Sequence, residues 1–180
     1  VGPSMRPSDL PARLAAAGFA ADGEEPGMAA PLDQVAEHPV SDVGIETVHD
    51  SRALSEWVEA LGTGFGEGPR EAEWVGAVFD RIGLHHPDFR HLLARRDGRV
   101  VGTATLFFSS GVAGLYFVST VPEMRRQGIG AFLTRTAMLI ARDGGARHAV
   151  LTSSAAGQPL YESLGFRQVC TIRLYTWRPS

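Results

Sequence analysis

From Val43 onward, apolar positions switch repeatedly between a period of two and a period near 3.6. "VGIETV" alternates and predicts a strand. Leu54, Trp57, Val58 and Leu61 then recur at helical spacing behind Ser51, a residue type that caps helix starts. "GTGFGEGP" breaks that helix, and a second follows from about Arg70 to Ile82 with Trp74, Val75, Val78 and Phe79 inward. "FRHLLARRDGRVVGTATLFF" reads as a hairpin, because Asp97-Gly98 is the strongest two-residue turn signal. Gly111 closes its second strand, and "VAGLYFVSTV" is the next. Ile129, Phe132, Leu133, Thr136, Ala137 and Ile140 line one face of a helix that Gly144-Gly145 stops. "RHAVLTS" is a buried-type strand, "GQPLYESL" a short helix ended by Gly165, and "RQVCTIRLYTW" a long last strand.

The first 42 residues follow another pattern. Ser8 predicts the cap of a short helix from about Asp9 to Ala17, with Leu10, Leu14 and Ala17 on one face and Gly18 as its stop. Residues 22–42, rich in Gly, Pro and acid, predict connection with a short strand near Met28. The division is an extension over 1–42 and a domain over 43–180. Within that domain the order is strand, two helices, three strands, helix, strand, helix, strand. Hairpins followed by crossovers imply a mixed α/β sheet.

Composition narrows the setting. The 180 residues carry a formal charge of −3, so no global basic field argues for nucleic acid. No apolar run approaches the ~20 residues of a membrane span, and no basic-then-apolar leader is present, so a cytoplasmic protein is expected. Cys170 cannot pair within the chain; with Ile172 and Leu174 on its face it reads as a small hydrophobe, not a nucleophile. His85, His86 and His91 with Asp88 lack metal-ligand spacing, so no metal is expected, though their imidazoles are candidate bases. "GTGFGEGPREAEW" admits two readings, a solvated connection or a mobile lid using Phe65, Glu67, Glu73 and Trp74.

The chemistry concentrates in "PEMRRQGIGAFLTR", Pro122 to Arg135. Helix amino termini present unpaired N–H groups and the positive end of the dipole, which favour anions. Gly128 and Gly130 let a phosphate approach the backbone, while Arg125 and Arg126 offer charge-assisted donors. No lysine follows Gly130, which excludes a P-loop, and Leu133 stands where a dinucleotide fingerprint needs a small residue. What remains is a pyrophosphate cradle, or a basic helix cap with glycines for tight packing.

"VSTVPEMRRQGIGAFLTRTAMLIA" and "AAGQPLYESLGFRQVC", in this order, resemble the acetyl-coenzyme A-binding and carboxy-terminal segments of the GNAT N-acetyltransferase superfamily. The resemblance covers about Val43 to Trp177. It implies a mixed, mostly antiparallel central sheet of six to seven strands flanked by about four helices, with a splayed strand at the cofactor site. It also implies acetyl transfer from acetyl-coenzyme A to a primary amine of a small molecule or peptide; a homodimer is compatible with it. Val118, Ser119 and Thr120 correspond to the splayed strand that pairs with pantetheine. Arg125, Arg126, Gln127, Gly128, Ile129, Gly130 and Ala131 correspond to the pyrophosphate site. Ser154 stands where relatives often place an asparagine, and Tyr161 matches the general acid toward the departing thiolate. Two departures matter: "GLYFVST" and "HAVLTSS" hold no carboxylate to act as base, and serine replaces that asparagine. The missing carboxylate favours the rival reading, a non-catalytic acyl-coenzyme A-binding sensing or interaction module; Tyr161 disfavours it. "DLPARLAAAGF" and "GQPLYESLGF" echo each other, which admits two readings: residues 1–42 end a degenerate first repeat, or Gly-Phe after a helix is in both places a stop signal plus a core aromatic.

Overall fold

Two tight turns shape the middle of the computed structural model, which describes residues 1–36, 42–66 and 69–177. Asp97 and Gly98 sit at φ 49° and 76°, Ser110 and Gly111 at 50° and 76°. Paired left-handed residues match the twist of antiparallel strands. They fold β3 (Phe89–Arg96), β4 (Arg99–Ser109) and β5 (Val112–Thr120) into a meander, with β2 (Gly44–Thr47) antiparallel to β3. Over the described residues the chain forms a seven-stranded, mostly antiparallel sheet with five helices. It packs as two compact units, residues 31–149 and residues 1–30 with 150–180.

In the first unit, α2 (Ser51–Phe65) and α3 (Pro69–Ile82) cover one face of the meander, and α4 (Ile129–Asp143) covers the other. Trp57, Leu61, Phe79 and Leu93 form the core on the α2 side. Leu93 pairs with Thr103, so Gly102 points the opposite way, toward Leu133 of α4. Three local expectations shift. Asp50, not Ser51, is the cap: it is extended, and its Oδ1 accepts from the Ala53 N–H at 2.7 Å. That hydrogen bond, ahead of other effects, holds its carboxyl below the usual range. In α3 the buried residues are Ala72, Gly76 and Phe79, while Trp74 is 70% exposed. In α4 the buried stripe is Ile129, Leu133, Thr134, Ala137, Met138 and Ala141. Phe132, Thr136 and Ile140 flank it half-buried, because the helix seats along the 129-133-137-141 ridge.

The second unit holds α1 (Leu10–Ala16), β1 (Phe19–Pro31), α5 (Gln158–Ser163) and β7 (Arg167–Trp177), while β6 (His148–Thr152) runs from one unit into the other. The strand expected near Met28 is present, but it runs from Phe19 to Pro31 and takes up much of the stretch expected as connection. β1 pairs antiparallel with β7 from Phe19↔Trp177 to Ala29↔Arg167, and pairing of this length overrides a poor strand composition. Gly27 is needed there, since a Cβ would lie 2.5 Å from Cys170 Sγ. Cys170 itself is half-buried. Asp9, not Ser8, precedes α1, and its carboxylate accepts from Arg13 Nε at 2.9 Å instead of capping. None of the α1 residues is buried: Leu10 and Leu14 are half-covered and Ala17 is exposed. Residues 37–41 of the expected connection lie outside the described residues. No helix among the described residues is long and apolar enough to cross a membrane.

Candidate functional site

The end of β5 is bent by a bulge. Thr105 pairs with Tyr116 and Thr103 with Ser119, so Phe117 and Val118 together oppose Ala104. Phe117 sits at φ 53°, a conformation that costs a bulky residue about 1–3 kcal/mol. Surrounding contacts hold it there. Thr103 Oγ1 donates to the Phe117 carbonyl at 2.8 Å, and the ring meets Trp57 and Phe79 edge-on at 5.7 and 6.0 Å. The buried Ser119 hydroxyl is 2.8 Å from Thr103 Oγ1, so its side chain serves the bulge; Val118 and Thr120 are half-buried.

Beyond β5 a short turn at Pro122–Met124 leads into α4. The amides of Met124 and Arg125 bond back to Val121 and Pro122, and the next bonded amide is Phe132, to the Gly128 carbonyl. Between them the six N–H groups of residues 126–131 have no partner among the described residues. Arg126 and Gly128 adopt left-handed backbone, φ 62° and 81°, which curls this run into a concave row. Ile129 is 1% exposed and roots the row in the core. Free donors, the positive end of a 15-residue helix and a concave backbone together suit a diphosphate.

The two arginines divide the work. Arg126 is exposed and has no partner among the described residues. Arg125 is committed: Nε donates to the Thr120 carbonyl at 3.1 Å and Nη2 to the Gly64 carbonyl at 2.6 Å. It ties the last turn of α2 to the end of β5 rather than reaching outward. Gly64 was missed by the sequence pattern. "GTGF" continues α2 instead of breaking it, because a Cβ on Gly64 would lie 2.4 Å from Ser119 Oγ, and one on Gly62 3.2 Å from Ala72 Cβ. Gly64→Ala is expected to destabilise the fold by about 1–3 kcal/mol through overpacking, read as a lower denaturation midpoint. An unchanged midpoint would show that helix and strand can separate there freely.

Around this end of α2 lies a cavity of about 200 Å³, lined by Leu61, Gly62, Phe65, Glu71, Ala72, Val75 and Phe117. The stretch read as connection or lid is mostly α2 and α3; of the four residues named for the lid, Phe65 lines the cavity and Glu67 lies outside the described residues.

Tyr161 and Ser154 belong to the other unit, where Gly157 brings them together. A Cβ on Gly157 would lie 3.1 Å from Tyr161 Cε2 and 3.4 Å from Ser154 Oγ. Ser154 Oγ accepts from the Gly157 N–H at 3.2 Å, so this hydroxyl helps to turn the chain into α5. Tyr161 packs its ring edge-on against Phe166 at 5.8 Å, and burial pushes its phenol above the ordinary tyrosine value. It remains a neutral proton donor across the physiological range.

The histidines do not assemble, and among the described residues no group of three His, Cys, Asp or Glu could hold a metal ion. His86 Nδ1 accepts from the Asp88 N–H, a local turn contact. His91, 2% exposed on β3, contacts Thr105 Oγ1 at 2.8 Å and packs among Trp57, Phe79 and Phe89. Burial lowers its pKa to about 4, an environment for a neutral core imidazole and not for a base that must charge.

Comparison with known proteins bears on the family and the fold. The model of the acetyltransferase (GNAT) family matches residues 53–166. A GCN5-related N-acetyltransferase from Kribbella flavida is 25% identical, with a TM-score of 0.70 over 96% of this chain and 65% of that one. A GCN5-related N-acetyltransferase from Sphaerobacter thermophilus, 20% identical, gives 0.70 over 94% and 56%. The glucosamine N-acetyltransferase region of a fungal multi-domain β-N-acetylglucosaminidase, 14% identical, gives 0.69 over 93% and 22%. The last two likenesses are of fold alone. The chain spans less than two thirds of the length of each of these three proteins. No curated protein matches it.

Proposed function

The chain belongs to the acetyltransferase (GNAT) family; from that premise we propose that it is an acyltransferase, moving an acetyl group from acetyl-coenzyme A to the primary amine of a small molecule or peptide. The observation that carries the choice of donor is the run of six amides over residues 126–131, at the start of α4, that have no partner among the described residues. These amides and Arg126 hold the pyrophosphate, the glycines at 128 and 130 keep side chains out of its way, and backbone groups of Val118 to Thr120 align pantetheine. Arg125 shapes the cradle from beneath, through its bonds to the Thr120 and Gly64 carbonyls.

Transfer is direct. The amine, having lost its ammonium proton to water, attacks the thioester carbonyl carbon; the carbon–sulfur bond breaks, Tyr161 gives its proton to the leaving sulfur, and the proton that nitrogen sheds as the amide forms returns through water to the tyrosinate. Backbone donors near Val118 to Thr120 oppose the developing oxyanion. The cavity beside Phe117 takes the acceptor: its apolar walls and the Glu71 carboxylate suit an amine on a short apolar stem. Residues 1–42 fit the tail of a first repeat. α1 and α5 both run into a left-handed glycine, Gly18 at 85° and Gly165 at 92°, then a phenylalanine and a long strand.

Thiol release from acetyl-coenzyme A across a panel of amines, antibiotics and peptides tests the reaction; silence from a folded protein on every acceptor sinks it in favour of a sensing module. Gly130→Val, with folding checked by its denaturation midpoint, is expected to weaken coenzyme A binding by about tenfold or more, ~1.4 kcal/mol. Calorimetry with coenzyme A checks this, and unchanged affinity removes the cradle.

A further inference from the structure

The β3–β4 hairpin sends one arginine to the cradle. Arg96, the last residue of β3, has a side chain 13% exposed. Its Nη1 donates to Gln127 Oε1 at 2.6 Å and lies 3.9 Å from Met124 Sδ, while Nη2 donates to Asp42 Oδ1 at 3.0 Å. Its Nε is buried and has no partner among the described residues. A partly buried ion pair with an unpaired N–H is a poor source of stability, because desolvation opposes the Coulombic gain. Its visible effect is geometric. Gln127 is pinned at both ends of its amide, Oε1 by Arg96 and Nε2 by the Glu123 carbonyl at 3.3 Å. That pin closes the loop from residue 123 to 127, where the unpartnered amides begin.

We infer that Arg96 is a positioning residue of the cradle: by gripping Gln127 it sets the direction of the amides at 126–131, and so the affinity for acyl-coenzyme A. The inference rests on the reading of the cradle given above. A planar fork can reach Gln127 and Asp42 at once, which a lysine ammonium in the same place cannot do with equal geometry. None of this chemistry touches the reacting atoms, so the effect belongs in cofactor binding and not in turnover.

Calorimetry with coenzyme A, paired with steady-state kinetics wherever an acceptor is in hand, tests it on Arg96→Ala, Arg96→Lys, Gln127→Ala and the Arg96→Ala/Gln127→Ala double variant. Arg96→Ala is expected to raise Kd and the KM for acetyl-coenzyme A about tenfold, ~1.4 kcal/mol, with kcat within about twofold. Arg96→Lys should recover little of that. Gln127→Ala, which leaves the hairpin intact, should reproduce the loss, and the double variant should lose no more than the worse single one. Wild-type affinity in a folded Arg96→Ala, or in Gln127→Ala if the arginine variant does not fold, overturns the inference; so do losses that multiply in the double variant. Wild-type protein that binds no coenzyme A overturns the cradle itself, and Arg96's role with it.

Discussion

Tyr161→Phe is expected to lower turnover by about 10²–10⁴-fold while leaving the affinity for acetyl-coenzyme A nearly unchanged. The ring keeps its edge-on contact with Phe166, so α5 retains its packing, and only the hydroxyl is lost. Burial raises the phenol's pKa, which keeps the proton on oxygen across the physiological range. Because proton donation to the leaving sulfur strengthens along the reaction coordinate, the loss falls on kcat rather than on the KM for the donor. The alkaline limb of the kcat–pH profile should also lie above the ordinary tyrosine value of about 10. A fully active Tyr161→Phe enzyme would leave water as the proton source and remove Tyr161 from the mechanism.

The second large effect is on stability in mild acid. His91 has a folded pKa of about 4 against an ordinary 6.5, because charging it means placing an imidazolium among aromatic rings. Above pH ~6.5 the ring is neutral in both folded and unfolded chains, and its contribution is fully present. As pH falls from ~6.5 to ~4 the unfolded chain takes up a proton that the folded one refuses, and about 3 kcal/mol is lost, ~2 kcal/mol of it by pH 5. His91→Gln, which keeps an amide near Thr105 but cannot titrate, should escape this loss. Denaturant midpoints of the two proteins at pH 7 and pH 5 decide the matter: equal losses in both mean that the acid sensitivity lies elsewhere.

Much of the architecture was legible because its signals are local. Asp97-Gly98 and Gly111 announced their hairpins through left-handed backbone, and the 3.6-residue recurrence after Gly128 announced α4. β1 was legible only near Met28, because "FAADGEEPGMAAP" lacks strand composition and is held by its pairing with β7. Helix breaking was misread at Gly62 and Gly64 because a sequence does not say whether a glycine ends a helix or lets another element approach it. The loop of arginines and glycines ahead of α4 was visible in the sequence, but the commitment of Arg125 to two carbonyls and the reach of Arg96 to Gln127 were not.

By itself the sequence determined what depends on neighbours along the chain: the turns, the helix periods, and the loop of arginines and glycines that opens α4. It also determined the family, since "RRQGIG" and "YESLGF" stand in order on the elements that need them. Tertiary structure decided which donors stay free. Arg125 and Arg126 are adjacent and chemically alike, yet one finds the Gly64 carbonyl 61 residues away and the other finds no partner among the described residues. Burial likewise decided that His91 stays neutral, and packing decided that Phe117 bears a left-handed backbone beside the cavity. The physical reason is common to all three: a side chain's charge, freedom and strain depend on atoms distant in sequence, which a one-dimensional pattern does not place.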